Sequence, residues 1–197
     1  MTKEAFMISE LIFMELASDQ QKIQRHEHVL FPCSAYFTNW KIDGVKEVPW
    51  HWHKELEFMF VVKGTVTACF GSEQVILHER DGFFVNSGSF HNIVMKDCYS
   101  CQVRSLVFDP VLVSGGANTI FDENYIKPLI TVSAFPGIAL YDREPSQHII
   151  LECIKKAHRA CEDERSAYEY DVRYYLSKAS ITYIRIMSNC CGKKAIL

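Results

Sequence analysis

Between Phe31 and Phe108 the apolar residues recur in short runs with a period close to two, and each run stops at a cluster of turn-forming residues. Phe31 to Trp40, with Pro32 at its edge, predicts a first strand, and Phe58 to Val62 is an unbroken apolar run closed by Gly64. Thr65 to Phe70 and Gln74 to Leu77 flank Gly71-Ser72-Glu73, which predicts an antiparallel hairpin. His78 to Gly82 and Asn86 to Ser89 are polar turns on either side of Phe83-Phe84-Val85. Phe90 to Met95 and Cys101 to Phe108 complete the series before Asp109-Pro110 stops it. Many short strands without internal helices predict a mainly β fold, an antiparallel β-barrel or jelly roll rather than a parallel sheet.

The period changes after Pro145. Ile150, Cys153, Ile154, Ala157 and Cys161 recur at helical spacing from about Ser146 to Glu162. Ser166-Ala167-Tyr168-Glu169 has the form of a capping box, and Tyr168, Val172, Tyr175, Leu176, Ala179, Tyr183 and Ile186 continue a second stripe. Two helices joined by a few charged residues lie antiparallel, as a C-terminal helical hairpin. Val111 to Ile130 reads as irregular, with a flexible point at Ser114-Gly115-Gly116 and a short helix near Asn124 to Leu129. Residues 1–25 carry a looser helical stripe, Phe6, Met7, Leu11, Ile12, Met14 and Leu16. The chain thus divides into an N-terminal arm or helix over 1–30, a barrel over 31–144 and a helical hairpin over 145–197. The second helix has further apolar or aromatic residues at Tyr170, Tyr174, Ile181 and Ile184, a surplus that predicts a homodimer through the C-terminal helices.

Composition narrows the function classes. A hydrophobic content of 48% over 197 residues fits a globular chain with a sizeable core. No apolar stretch approaches the ~20 residues of a spanning helix, and Met1-Thr2-Lys3-Glu4 does not open a secretory signal. The expectation is a cytoplasmic protein without membrane contact. The eight cysteines are scattered through predicted strands and helices, which reads as reduced thiols acting as small apolar side chains. Net charge is −3, with 21 basic against 24 acidic residues and no Lys/Arg cluster larger than the pairs Lys155-Lys156 and Lys193-Lys194. Such a chain lacks the basic face that phosphate backbones require.

The chemistry is concentrated in Pro49-Trp50-His51-Trp52-His53-Lys54-Glu55-Leu56-Glu57. His51 and His53 share a strand face, but a straight strand would carry Glu57 about 13 Å beyond His53, too far for one metal ion. Convergence therefore requires a bend at Lys54-Glu55-Leu56, with one strand ending at His53 and another starting at Glu57. Were a further histidine such as His91 brought to them, the set would offer three imidazoles and a carboxylate, which suits Zn²⁺, Ni²⁺, Fe²⁺ or Mn²⁺. The alternative is a hydrated pocket whose His and Glu side chains hydrogen-bond an organic ligand or one another. Arg104 inside a barrel would hold a carboxylate or sugar hydroxyls in its forked donors, whereas outside it would be an ordinary surface charge. Trp50 could stack on a ligand, and Asn86 could donate to it or serve its own turn.

His51-x-His53, three residues, Glu57, six residues and Gly64 resembles the first motif of the cupins, and Asp81-Gly82 through His91 resembles the second. More specifically, His51-Trp52-His53-x-Glu55-Leu56-Glu57, Phe84-Val85-Asn86-Ser87 with His91, Ser105-Leu106-Val107-Phe108-Asp109-Pro110 and Tyr125-Ile126-Lys127-Pro128-Leu129 are together similar to the sensor domain of AraC-type transcriptional regulators. The second motif departs from the general cupin form: Ser87 stands where a proline is usual and Asp81-Gly82 reverses the opening pair. These departures weigh against an enzyme more than against a sensor. The resemblance implies a ligand-sensing and dimerisation domain that binds a small-molecule effector, a sugar or small acid, in its barrel. It implies no chemistry of its own and no required cofactor. DNA would be reached only through a helix-turn-helix domain that this chain lacks, since ten residues follow Met187. The rival expectation is a metal-dependent cupin enzyme, a dioxygenase or sugar isomerase, with the His/Glu cluster as its metal centre.

Overall fold

The computed structural model describes residues 20–22, 31–44, 46–96, 99–131 and 135–190. The N-terminal helical stripe, Phe6 to Leu16, lies outside them, and Gln20–Lys22 of the polar run after it form a short strand, β1. The strands that follow are β2 (Cys33–Lys41), β3 (Glu47–His51), β4 (Leu56–Lys63), β5 (Thr65–Phe70), β6 (Glu73–His78), β7 (Gly82–Val85), β8 (His91–Met95) and β9 (Ser100–Phe108). All lie close to the positions expected from the alternation. A further strand, β10 (Gly137–Leu140), was not legible in the pattern and pairs antiparallel with β7.

These strands do not close into a barrel. They form a six-stranded sheet in the order β1-β2-β9-β4-β7-β10 and a four-stranded sheet in the order β3-β8-β5-β6. Every ladder is antiparallel. Nor are the described residues mainly β: helix and strand each account for 37% of them, because two long helices cover the larger sheet.

The burial of β4 shows why. Leu56, Phe58 and Phe60 pack with Phe84, Leu106 and Phe108 against Ile150, Leu151, Ile154 and Leu176 of the helices. Met59 and Val61, of opposite parity, pack with Phe83, Val85 and Val103 against Val66, Ala68, Leu77 and Ile93 of the smaller sheet. The larger sheet is therefore a middle layer with two cores, and a strand buried on both faces reads as a continuous apolar run rather than an alternating one.

Between the sheets and the long helices lie α1 (Val111–Ser114), a π-helical turn (Asp122–Ile126) and α2 (Lys127–Thr131), the last two filling the place expected for one short helix. The long helices are α3 (Pro145–Asp163) and α4 (Tyr168–Cys190). Pro145 opens α3, where its missing N–H costs nothing. Ala167 takes a left-handed φ of +63°, so α4 begins one residue later than the capping-box reading places it. None of the helices among the described residues is long and apolar enough to cross a membrane.

Candidate functional site

Pro49 sets the local geometry. It sits where the β3–β8 register shifts between Val48 and His51, a position at which a residue without an N–H is tolerated in a strand. After the shift His51 lies directly opposite His91 at the start of β8, with ring centroids 4.1 Å apart. The strand ends there, two residues earlier than expected, and the bend falls over residues 52–55. His53 stands in this bend rather than on a strand, so it joins the cluster through the turn and not through strand parity. Two hydrogen bonds tie the bend to the turn before β8: Gly88 N donates to His53 O at 2.8 Å, and Ser87 Oγ donates to Lys54 O at 2.7 Å. Ser87, standing in place of the usual proline, thus holds the two motifs together. Glu57 enters from β4, on the face turned toward the smaller sheet.

His51, His53, Glu57 and His91 each offer a ligand atom within 4.8 Å of the others. At bond lengths of ~2.0–2.2 Å, two ligands on opposite sides of one ion stand about 4.4 Å apart at most, so the cluster would close on a metal by a few tenths of an ångström. The protonation of the rings favours this use. Nδ1 of His51, His53 and His91 lies 2.8, 3.1 and 2.9 Å from the carbonyl oxygens of Pro49, Glu55 and Ser89. A carbonyl only accepts, so each Nδ1 carries the proton and each neutral ring presents Nε2 as a lone pair. Backbone carbonyls bonded to the second ring nitrogen are the usual means by which metal-binding histidines are oriented. Nε2 of both His53 and His91 lies 3.2 Å from Glu57 Oε2. Two lone pairs facing a carboxylate at that distance need a positive charge between them, a proton on the ring or a cation.

The electrostatics are divided accordingly. Burial, reinforced by neighbouring His91, pushes His51 down to about 4 despite the attraction of Glu57. Burial is the largest influence on His53 and opposes its charge, but the hydrogen bond to Glu57 and the attraction of Glu57 and Glu55 together outweigh it and raise its pKa. The same bonds from His53 and His91 hold the Glu57 carboxyl well below the ordinary carboxylate range against its burial.

Beside the cluster is a cavity of about 30 Å³ between the sheets. His51, with Val48 and Ile93, lines it from the smaller sheet, and Glu57 from β4, Tyr36 and Thr38 from β2 and Ser105 from β9 line it from the larger, among Met59, Val103 and Val107. These three hydroxyl residues were not singled out from the sequence. The signal that could have found them is register, since Tyr36 lies opposite Ser105 and Thr38 opposite Val103. Burial pushes the Tyr36 phenol up to about 12, so it stays a donor.

The other residues expected at the site are elsewhere. Arg104 has the opposite parity to Ser105 and faces α3, where Nη1 donates to Glu162 at 2.8 Å. Trp50 is 42% exposed and stacks on Phe90 with centroids 4.9 Å apart, outside the cavity. Asn86 is buried and structural: Nδ2 donates to Leu129 O at 2.9 Å and to Phe135 O at 3.1 Å, while Oδ1 accepts from Ser87 N.

Residues 40–97, which contain the whole cluster, match the cupin domain model. The chain carries a cupin domain. Similarity extends well past the cupin domain in one comparison, with 28% identity over 159 residues to "Uncharacterized HTH-type transcriptional regulator YdeC" of Bacillus subtilis (strain 168), covering 80% of this chain and 53% of the relative. The chain thus spans about half the length of the curated relative it matches. Among solved structures, a Cupin 2 conserved barrel domain protein from Salinispora arenicola CNS-205 is 20% identical, covers 47% of this chain and 76% of its own, and has a TM-score of 0.40. A predicted oxalate decarboxylase from Thermotoga maritima is 15% identical, covers 45% and 77% respectively, and has a TM-score of 0.41.

Proposed function

We propose that this chain is the ligand-sensing part of a transcriptional regulator of AraC type, whose cupin domain binds a small polar metabolite, a sugar or small acid, in the cavity beside His51 and Glu57. What carries the reading is the extent of its likeness to an HTH-type regulator, which runs over 159 residues and so beyond residues 40–97. At about 30 Å³ the cavity must widen to admit such a ligand, but its lining suits one chemically. Three neutral hydroxyl residues and the His/Glu cluster offer donors and acceptors to a polar ligand, and an apolar surround excludes water. In this reading the protein acts in the cytoplasm, turns over nothing, pairs through its C-terminal helices and reaches DNA through a separate helix-turn-helix domain. Thermal-shift screening against sugars and organic acids, with and without chelator, tests it: a ligand raises Tm in a concentration-dependent way. Failure of every polar metabolite to shift Tm in either state would remove the reading.

A second reading, a metal-dependent enzyme, is favoured by one observation, the orientation of all three imidazoles by backbone carbonyls. A divalent ion held by His51, His53, Glu57 and His91 would supply Lewis-acid or redox chemistry there. Turnover by the metal-loaded protein, absent from the chelated protein, would decide for it.

A further inference from the structure

Residues that line the cavity and residues that touch α3 alternate along the same two strands. On β9, Ser105 lines the cavity while Arg104, its chain neighbour, donates to Glu162 of α3 at 2.8 Å. On β2, Tyr36 lines the cavity while the next residue, Phe37, lies beneath the Arg104 guanidinium, 5.3 Å from its ring centroid. Tyr36 is opposite Ser105 and Phe37 is opposite Arg104 in the ladder, so the two pairs occupy one patch of sheet, seen from its two sides. The Tyr36 backbone is itself held from behind, since its carbonyl accepts from His158 Nε2 of α3 at 3.0 Å. His158 is fully buried and packs edge-on to Phe60 at 6.0 Å.

This contact runs from the buried His158 ring to the partly exposed Arg104–Glu162 pair, and it is only half satisfied. Arg104 Nε and His158 Nδ1 are buried without a hydrogen-bond partner, and the Glu162 carboxylate stands 3.8 Å from His158 Nδ1. The carboxylate thus serves Arg104, while the ring proton of His158 is on Nε2 and its Nδ1 faces the carboxylate as an unpaired acceptor. Buried polar groups left unpaired make such a contact sensitive to small displacements of either strand.

We propose that His158, Glu162 and Arg104 form a latch that couples occupancy of the cavity to the seating of the helical hairpin on the larger sheet. A ligand that presses on Tyr36 or Ser105 shifts β2 and β9, and the shift reaches α3 through the Tyr36 carbonyl and the Arg104 guanidinium. The inference rests on the sensor reading and supplies the step by which a filled cavity would be felt at the helices.

The test builds the occupant into the 197-residue chain as Ser105→Val and follows amide hydrogen exchange by mass spectrometry, comparing peptides of α3 with peptides of β5 and β6. Exchange in α3 is expected to change by at least about threefold while β5 and β6 keep their rates, and the same substitution is expected to have no further effect on α3 once His158→Phe and Glu162→Gln have cut the latch. Val107→Ile, a smaller addition to the same wall, carries the same expectation and serves if Ser105→Val does not fold. Unchanged exchange in α3, an equal change in α3 and in β5–β6, or an effect that persists with the latch cut would each overturn the coupling. No effector is used, so a failed ligand screen bears on the sensor reading alone.

Discussion

His91 Nε2 and Glu57 Oε2 meet at 3.2 Å across the gap between the two sheets, one residue from β8 of the smaller and the other from β4 of the larger. The cluster therefore pins the sheets together at one end. Glu57→Gln keeps the shape and removes the charge. We expect it to lower affinity for a divalent ion by roughly tenfold or more, because it converts a charged ligand to a neutral one. Isothermal titration of Zn²⁺ into chelator-treated protein free of a histidine tag measures this, and equal affinity in the two proteins would show that Glu57 is not a ligand.

Acid is expected to destabilise the metal-free protein through His51. Its folded pKa of about 4 lies below the ordinary 6.5, so the unfolded chain takes up the proton first and stability falls as pH drops from 6.5 toward 4. That interval corresponds to a loss of about 3 kcal/mol from His51 alone. His53, whose pKa is raised, contributes stability that builds as pH falls from its folded pKa to 6.5 and stays constant below that, so it leaves the slope of the His51 loss unchanged. Glu57 keeps its contribution until the pH falls through its own depressed pKa. Urea titrations in chelator from pH 7.5 to 4 should show a shallower decline for His51→Gln than for the parent.

Gly82 and Gly88 should respond differently to alanine. A Cβ at Gly82 would stand 2.2 Å from Met59 O and 2.8 Å from Leu151 Cδ2, within the layer where β7 passes between β4 and α3. Neither backbone nor core can yield that far without cost, and a loss near the upper end of the ~1–3 kcal/mol range for overpacking is expected. At Gly88 nothing lies within 4 Å, but φ is +71°, so alanine costs only about 1 kcal/mol of backbone strain. Urea midpoints rank the two, and a reversed order would contradict the packing described for β7.

The surplus apolar face of α4 is narrower than its sequence suggests. Ile184 is buried within the chain and Ile181 is half-buried, whereas Tyr170 and Tyr174 are 76% and 59% exposed. If α4 pairs two copies, the contact centres on these tyrosines. Light scattering should find a dimer in the parent and a folded monomer in Tyr170→Glu/Tyr174→Glu, while Ile184→Glu should unfold the chain. A parent that stays monomeric at high micromolar concentration would sink the dimer.

Strand positions were legible because turn residues punctuate short apolar runs, and the four cluster residues were legible from the resemblance of their two motifs to those of the cupins, since straight-strand geometry alone would have kept Glu57 out of reach. Three things were not. The face of β9 that turns inward was ambiguous, because Arg104 and Ser105 sit on a strand with cover on both sides, and alternation marks a face only when one side is wet. The closure of the strands was misread, since nothing in Glu47 to His51 or Glu73 to His78 says that these edges stay unpaired with the larger sheet. Gly137-Ile138-Ala139-Leu140 is too short to show a period, and it becomes a strand because β7 offers it an edge.

The two-sided burial of β4 makes its numbering a reading frame. Deleting or inserting one residue between Leu56 and Val61 would do more than misplace a side chain: it would send Glu57 toward the helices and an apolar neighbour toward His53 and His91, and exchange every partner in both cores at once. Substitutions along this strand can be absorbed one at a time, but a change of length cannot. Length variation among chains built on this plan should therefore fall in the segments outside β4, β7 and β9, and a working relative with a single-residue insertion inside β4 would need a compensating bulge before Glu57.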